Sequence, residues 1–342
     1  MAITLDGTLG ITAPTYAGAI PSEYHVPVTG FKNRIINGAC VIDQRNAGVS
    51  LTPTVTATYT LDRWKSFLTQ ASKFSVQQNA GAVTPPVGFT KYLGITSASA
   101  YSVLAADYFN ISQILEGFNS ADLAWGTANA SAVTLSFKVY SSLTGTFGGC
   151  IGNGAGNRSY PFTYSIPVAN TWTTISITIP GDTTGTWATD NTSSLAIYFN
   201  LGAGATNSGT AGSWSANFYV SATGSVSVVG TNLATFYITG VQLEKGSIAT
   251  SFDYRPYGTE LALCQRYYEV TDYLMVATGT LYSSGYWQVS KRVSPTIAIL
   301  QRTSGTGGTV GASNFSVLSS FLLTAFTSAS GIVFQIGGSA EL

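Results

Sequence analysis

The residues best placed for chemistry sit in one Gly- and Thr-rich loop, Gly181-Asp-Thr-Thr-Gly-Thr-Trp-Ala-Thr-Asp190, where Asp182 and Asp190 flank Trp187. Two carboxylates across a cleft are all that a glycoside hydrolase asks of its side chains. Aspartates among Gly and Thr more often turn their oxygens to nearby backbone amides, so catalysis is the weaker reading and no catalytic residue is assigned. Binding is the better use of the loop. A sugar ring has an apolar face that stacks on Trp or Tyr, and hydroxyls that suit polar side chains at the rim. Trp187, Trp125 and Trp214 each lie in small, polar text beside Gly185, Gly126 and Gly212, and Arg158, Tyr160 and Asp190 are the rim partners to expect. The alternative is that the three rings anchor loops onto a sheet, and that Arg158 pairs with Asp182 or Asp190.

Other chemistries fail on residue counts. The only histidine, His25, has no carboxylate motif nearby, which removes a Ser/His nucleophile. One histidine and three scattered cysteines, Cys40, Cys150 and Cys264, cannot supply a zinc site, so the thiols are expected to be buried and neither metal nor cofactor is expected. Only 9% of the 342 residues are charged, against about a quarter in an ordinary globular chain. Fifteen basic and fifteen acidic residues cancel, so neither nucleic acid nor an anionic membrane is an expected partner. No apolar run has the length of a membrane span and the N-terminus lacks a basic n-region, so the chain is expected to be assembled in the cytosol.

The elements that must carry the loops are strands. Val133, Leu135, Phe137 and Val139 alternate with polar residues, as do Ile175, Ile177 and Ile179, and then Leu195, Ile197, Phe199 and Leu201. Gly-rich breaks separate these segments, which reads as an all-β sandwich or barrel. Around Leu61-Asp-Arg-Trp64 the alternation fails, although Trp64 itself is expected in the core. One helix is expected after Pro256, capped by Thr259, with Leu261, Cys264 and Tyr268 on one stripe and Leu263 and Tyr267 on another. A short helix apolar on two sides has to be covered twice. It is either a connector between two β domains or a contact with other copies of the chain, and Leu261, Leu263, Cys264, Tyr267 and Tyr268 are the expected oligomer interface. The boundaries expected are an N-terminal arm over 1–30, a sandwich over 31–257, and the helix with a small C-terminal β-sandwich over 258–342. In that last unit Val317, Leu318, Phe321, Leu322, Leu323 and Phe326 are more apolar surface than so small a unit buries, so part of it is expected to meet other copies.

The passages Phe236-Tyr-Ile-Thr-Gly-Val-Gln-Leu-Glu-Lys-Gly246 and Tyr254-Arg-Pro-Tyr-Gly-Thr-Glu-Leu-Ala-Leu-Cys-Gln-Arg-Tyr-Tyr268, with Arg34-Ile-Ile-Asn-Gly38, Leu61-Asp-Arg-Trp64 and Ala340-Glu-Leu342, resemble tail-fibre and other virion-appendage proteins of tailed bacteriophages. In those proteins such passages end a jelly roll similar to carbohydrate-binding modules. The resemblance implies a jelly-roll β-sandwich in a non-enzymatic structural protein of the virion. It would be a homotrimeric tail fibre that binds host surface polysaccharide and meets other virion proteins through its arm. A head fibre, capsid decoration or neck appendage fits the same text, and a capsule-degrading hydrolase using Asp182 and Asp190 is the enzymatic alternative. Related modules hold a structural calcium partly through an acidic residue near the last strand. Here Gly240 stands at that place, with Asp43 and Asp253 as the remaining oxygen donors.

Overall fold

The structure, a computed structural model, describes residues 4–6, 10–12, 31–275, 279–304, 309–327 and 332–342. In chain order, β1 (Thr4–Asp6) and β2 (Gly10–Thr12) form a hairpin. The rest of the expected arm, with His25, lies outside the described residues. Then come β3 (Thr58–Leu61), β4 (Trp64–Leu68), β5 (Phe74–Gln78), β6 (Leu93–Ser97), β7 (Tyr108–Glu116), β8 (Val133–Ser141), β9 (Gly145–Asn153), β10 (Ser159–Ile166), β11 (Thr173–Ile179), β12 (Ser193–Ala203), the two-residue β13 (Ser208–Gly209) and β14 (Ser221–Ala222), and β15 (Thr235–Lys245). One α-helix, α1 (Tyr257–Gln265), leads to β16 (Tyr268–Met275), β17 (Gly279–Tyr286), β18 (Thr296–Ser304), β19 (Thr309–Val317), β20 (Ser320–Thr327) and β21 (Ile332–Ser339).

Two antiparallel sheets, ordered β10-β9-β12-β7-β4-β3 and β11-β8-β15-β6-β5, face each other as a jelly-roll sandwich. From β8 onward the chain passes repeatedly from one sheet to the other, which is what gives the fold its Greek-key crossings. The alternating apolar residues of β8, β11 and β12 point inward and make one core with Trp64, Phe109, Phe147 and Phe236. Strands β4, β12 and β15 are buried on both faces, which is why alternation fails around Trp64. The outer face of β15 is crossed by residues 246–254, and that of β4 by the last residues of the chain.

The helix starts directly after Pro256, in extended conformation at φ −53 and ψ 142, and has no side-chain cap. Thr259 is therefore inside the first turn rather than at its cap. Glu260 spends its carboxylate on the amide of Asn37 and on Arg255 instead. Cys264 and Tyr267 are wholly buried and pack on Ile36 and Ile42 of the same chain, and Tyr268 is 7% exposed. Three of the five residues expected to meet another copy are thus covered by their own chain, because the segment around Arg34 to Ile42 supplies the second cover. Leu261 and Leu263 are half-buried.

Beyond the helix, β16-β21-β18 and β17-β20-β19 form two three-stranded antiparallel sheets, with the Trp287 ring between Phe321 of one and Gly338 of the other. Phe321 is buried and Leu318 is 45% exposed. The side chains of Val317, Leu322, Leu323 and Phe326 lie outside the described residues. The last residues return to the jelly roll. Glu341 pairs with Arg63 and with Arg45 (2.9 Å), Arg63 lies over the Tyr267 ring at 3.5 Å, and Arg45 lies over Tyr268 at 3.6 Å. Glu116 accepts from Arg266 at 2.7 and 2.9 Å and from the Tyr267 hydroxyl.

Asp62 is buried beside this cluster and accepts from the backbone and side-chain amides of Gln44 at 2.6 and 2.8 Å. Burial pushes its carboxyl from 3.8 up to about 6, against the pull of Gln44 and Arg45. The folded chain then holds a proton that the unfolded chain has released, so this group makes stability fall as pH rises from 3.8 to about 6. Asp62→Asn is expected to gain roughly 1–3 kcal/mol on the wild type between about pH 4 and pH 7, read from urea midpoints at each pH. An equal gap between the two proteins at both pH values would refute the assignment.

Candidate functional site

The loops at one end of the sandwich bring three distant tryptophans together. Trp125 follows the short turns after β7, Trp187 lies in the β11–β12 loop, and Trp214 lies in the excursion after β12. Their ring centroids are 4.6 Å (Trp125–Trp187), 5.4 Å (Trp125–Trp214) and 5.7 Å (Trp187–Trp214) apart, all edge to face. Tyr160 meets Trp214 at 5.3 Å, and the Arg158 guanidinium lies 5.8 Å from the same ring. Each indole N–H is used within the chain: Trp125 donates to the Ser131 carbonyl (2.7 Å), Trp214 to that of Pro180 (2.9 Å), and Trp187 to Asp182 and Thr184 (3.3 Å each). The rings are thereby held in place without a ligand.

Arg158 and Asp182 lock the loop. Nε and Nη2 of Arg158 donate to the two carboxylate oxygens at 2.8 and 2.6 Å, and Asp182 is 1% exposed. Burial alone would raise the Asp182 carboxyl, but the Arg158 hydrogen bonds and the amide of Thr184 hold it below its ordinary value. A carboxylate so committed is unsuited to deliver a proton. Asp190 is exposed and closes its own turn, accepting from the amide (2.9 Å) and hydroxyl (2.5 Å) of Thr192. These contacts lower its pKa too. Neither carboxylate has the raised pKa that a general acid needs.

Of the expected sugar-contacting residues, Trp187 and Trp214 are half-exposed, whereas Trp125 and Tyr160 are each 7% exposed. Trp125 is the floor beneath the other two rings rather than an open stacking face, and Tyr160 backs Trp214 rather than standing at the rim. Arg158 and Asp182 position the loop, and Asp190 stands apart in its turn. A cleft of about 170 Å³ opens beside Trp125 and Trp187. Its other walls are the hydroxyl residues Ser120, Thr127, Thr189 and Ser194 with Leu123 and three alanines, and none has an ionisable side chain. Nothing in a Ser- and Thr-rich sequence distinguishes these hydroxyls from the rest.

An acidic ligand at position 240 does not fit. Gly240 has φ 62, and a β-carbon there would stand 2.6 Å from the Phe89 ring. Asp43 is occupied by the amides of Asn46 (3.0 Å) and Gly48 (2.7 Å), and Asp253 by those of Lys32 (3.0 Å) and Asn33 (3.1 Å).

No family model and no curated protein sequence matches the chain. Among solved structures, similarity is found to the enzymatically active domain of tailspike protein 4 of bacteriophage CBA120, at 14% identity and TM-score 0.35 over 63% of this chain and 22% of that one. A Bacteroides thetaiotaomicron protein for which sugar binding has been proposed gives 12% identity and TM-score 0.36 over 63% of this chain and 100% of the other. A family 11 carbohydrate-binding module of Clostridium thermocellum gives 15% identity and TM-score 0.28 over 60% and 99%. At these scores the likenesses are no basis for a function.

Proposed function

We propose that the chain is a structural protein of a tailed-phage virion whose jelly roll holds a neutral stretch of host surface glycan, without turning it over, in the cleft beside Trp125 and Trp187. The observation that carries the reading is the convergence of three tryptophans, far apart in sequence, two of which, Trp125 and Trp187, wall a cleft otherwise lined by hydroxyls and aliphatic groups. Such a surface offers stacking and neutral hydrogen bonds and nothing for a charge. The virion context comes from the resemblance of the passages around Arg34, Arg63, Arg255 and Glu341. A homotrimeric tail fibre is the form we assign to it, since weak sites presented together gain strength over one polymer.

Trp187→Ala is expected to lower retention on host polysaccharide about tenfold or more while leaving the solution mass unchanged. Affinity electrophoresis through gels of host polysaccharide reads the first, and light scattering reads the second, with a wild-type mass near three times 35.7 kDa. Unchanged retention of every host polysaccharide in Trp187→Ala would refute the cleft, and a monomeric wild type would refute the trimer.

A further inference from the structure

The outer face of the five-stranded sheet carries a second, differently built depression. Strands β8 and β11 pair Lys138 with Thr174 and Ser136 with Ser176, and these side chains have the parity opposite to the core residues. Residues beyond β15 fold back across the sheet. Gln242 accepts from the amide of Asp253 at 2.8 Å, and Glu244 accepts from the amide and hydroxyl of Thr250 at 2.9 and 2.7 Å. The fold-back sets Phe252 and Tyr254 against Phe89, with centroids 5.1, 5.6 and 4.9 Å apart. The left-handed Gly240 in the β15 bulge leaves the room that Phe89 needs.

Between this aromatic wall and the polar strands lies a groove of about 340 Å³, at the lower end of the ~300–1,000 Å³ of small-ligand sites. Tyr254 is 58% exposed, yet its hydroxyl is tied to the Gly88 carbonyl at 2.9 Å, so a fixed ring faces outward. Lys138 donates to the Thr174 hydroxyl at 2.9 Å, which leaves two of its three N–H donors, and it has no ion pair among the described residues. No Asp or Glu lines the groove. An exposed aromatic wall, hydroxyls and one ammonium without a counter-ion together match a sugar that carries a negative charge.

We propose that this groove is a site for an anionic saccharide, with its ring against Tyr254 and its carboxylate or phosphate at Lys138. The proposal extends the glycan-binding reading to a second surface of opposite requirement, charged where the Trp187 cleft is neutral. The two are connected through the edge strand: from Ser176 to Pro180, where the loop of Trp187 begins, is about 13 Å of extended chain.

The test is capture of the full chain on an array of purified bacterial surface polysaccharides, grouped as neutral, uronate-containing and phosphate-containing. Lys138→Gln and Tyr254→Ala should each lose tenfold or more on one anionic group while holding neutral capture at the wild-type level, and Trp187→Ala should lose the neutral group. Which anionic group responds identifies the charge. Anionic capture unchanged in Lys138→Gln, or absent in the wild type, overturns the groove and leaves the Trp187 cleft standing. Neutral capture unaffected by Trp187→Ala overturns the cleft alone. A lower solution mass for Tyr254→Ala, with capture unchanged, assigns the groove to a second copy of the chain and also overturns the proposal. Lys138→Gln removes a charge and one exposed hydrogen bond and leaves the aromatic wall intact, so it keeps the test open if Tyr254→Ala folds poorly.

Discussion

Replacing Glu341 with alanine is expected to lower the unfolding free energy by about 3–5 kcal/mol, the cost of leaving a buried charge without its partner. The charge left behind is that of Arg63, whose side chain is 1% exposed and keeps only a hydrogen bond to the Ile114 carbonyl and the face of the Tyr267 ring. Arg45 loses its carboxylate in the same step but keeps the Tyr268 ring and 15% exposure, so its share is smaller. The reverse test separates the value of the pair from the penalty of breaking it. Arg63→Met with Glu341→Leu removes both charges and should recover part of the loss, since well-packed apolar replacements of buried pairs are often close to neutral. Urea unfolding of the three proteins reads both effects. A Glu341→Ala penalty below about 1 kcal/mol would mean that water reaches the cluster and that Arg63 is not desolvated as the structure places it.

This cluster also shows how the sequence is to be read. Leu61-Asp-Arg-Trp64, Arg266-Tyr-Tyr268 and Ala340-Glu-Leu342 are far apart in the chain and meet at one junction. Asn37 joins them, its carbonyl accepting from the Trp64 indole at 3.0 Å and its side-chain amide donating to the Asp62 carbonyl at 3.0 Å. The sandwich was legible because strands with one polar face alternate, as Val133 to Val139 do. It was unclear at β4, where later segments cover the second face and the alternation carries no phase; at β12 the alternation showed a strand but not that both of its faces are buried. Strand β19 begins at Thr309 in Gly- and Ala-rich text that reads as loop, because pairing with β20, rather than side-chain character, makes it a strand. The tryptophan cluster was half legible. Loop tryptophans among small residues stood out, but which of them would form the floor depends on the loops' mutual packing. Phe252 and Tyr254 stand in text before Pro256 that reads as extended and aromatic, but nothing in it or around Phe89 shows that residues 247–254 fold back onto β15.

Gly38→Ala is expected to cost about 3 kcal/mol or more, a large effect for one methyl group. An alanine for glycine at a φ that L-residues adopt normally stabilises by about 0.4–1 kcal/mol through the unfolded chain. Gly38 is outside the left-handed region, so conformation does not forbid the change. Space does. A β-carbon at Gly38 would overlap the Val241 carbonyl oxygen and come within 3.3 Å of the Asn33 amide, and neither is free to move. Val241 donates to the Gly38 carbonyl at 3.0 Å from within the bulge of β15, and Asn33 donates to the Val241 carbonyl at 3.0 Å. The segment from Arg34 to Gly38 therefore lies on β15 backbone to backbone, and the same segment covers α1. Chemical unfolding reads the cost, and a Gly38→Ala protein as stable as the wild type would remove this account. Trp187→Ala and Tyr254→Ala act on half-exposed or exposed rings and should cost stability much less than binding. That contrast divides the chain by role: the passages that resemble virion-appendage proteins hold the jelly roll, helix and C-terminal strands together. The Trp187 cleft lies in text with no motif, whereas the groove at Tyr254 borders one of those passages.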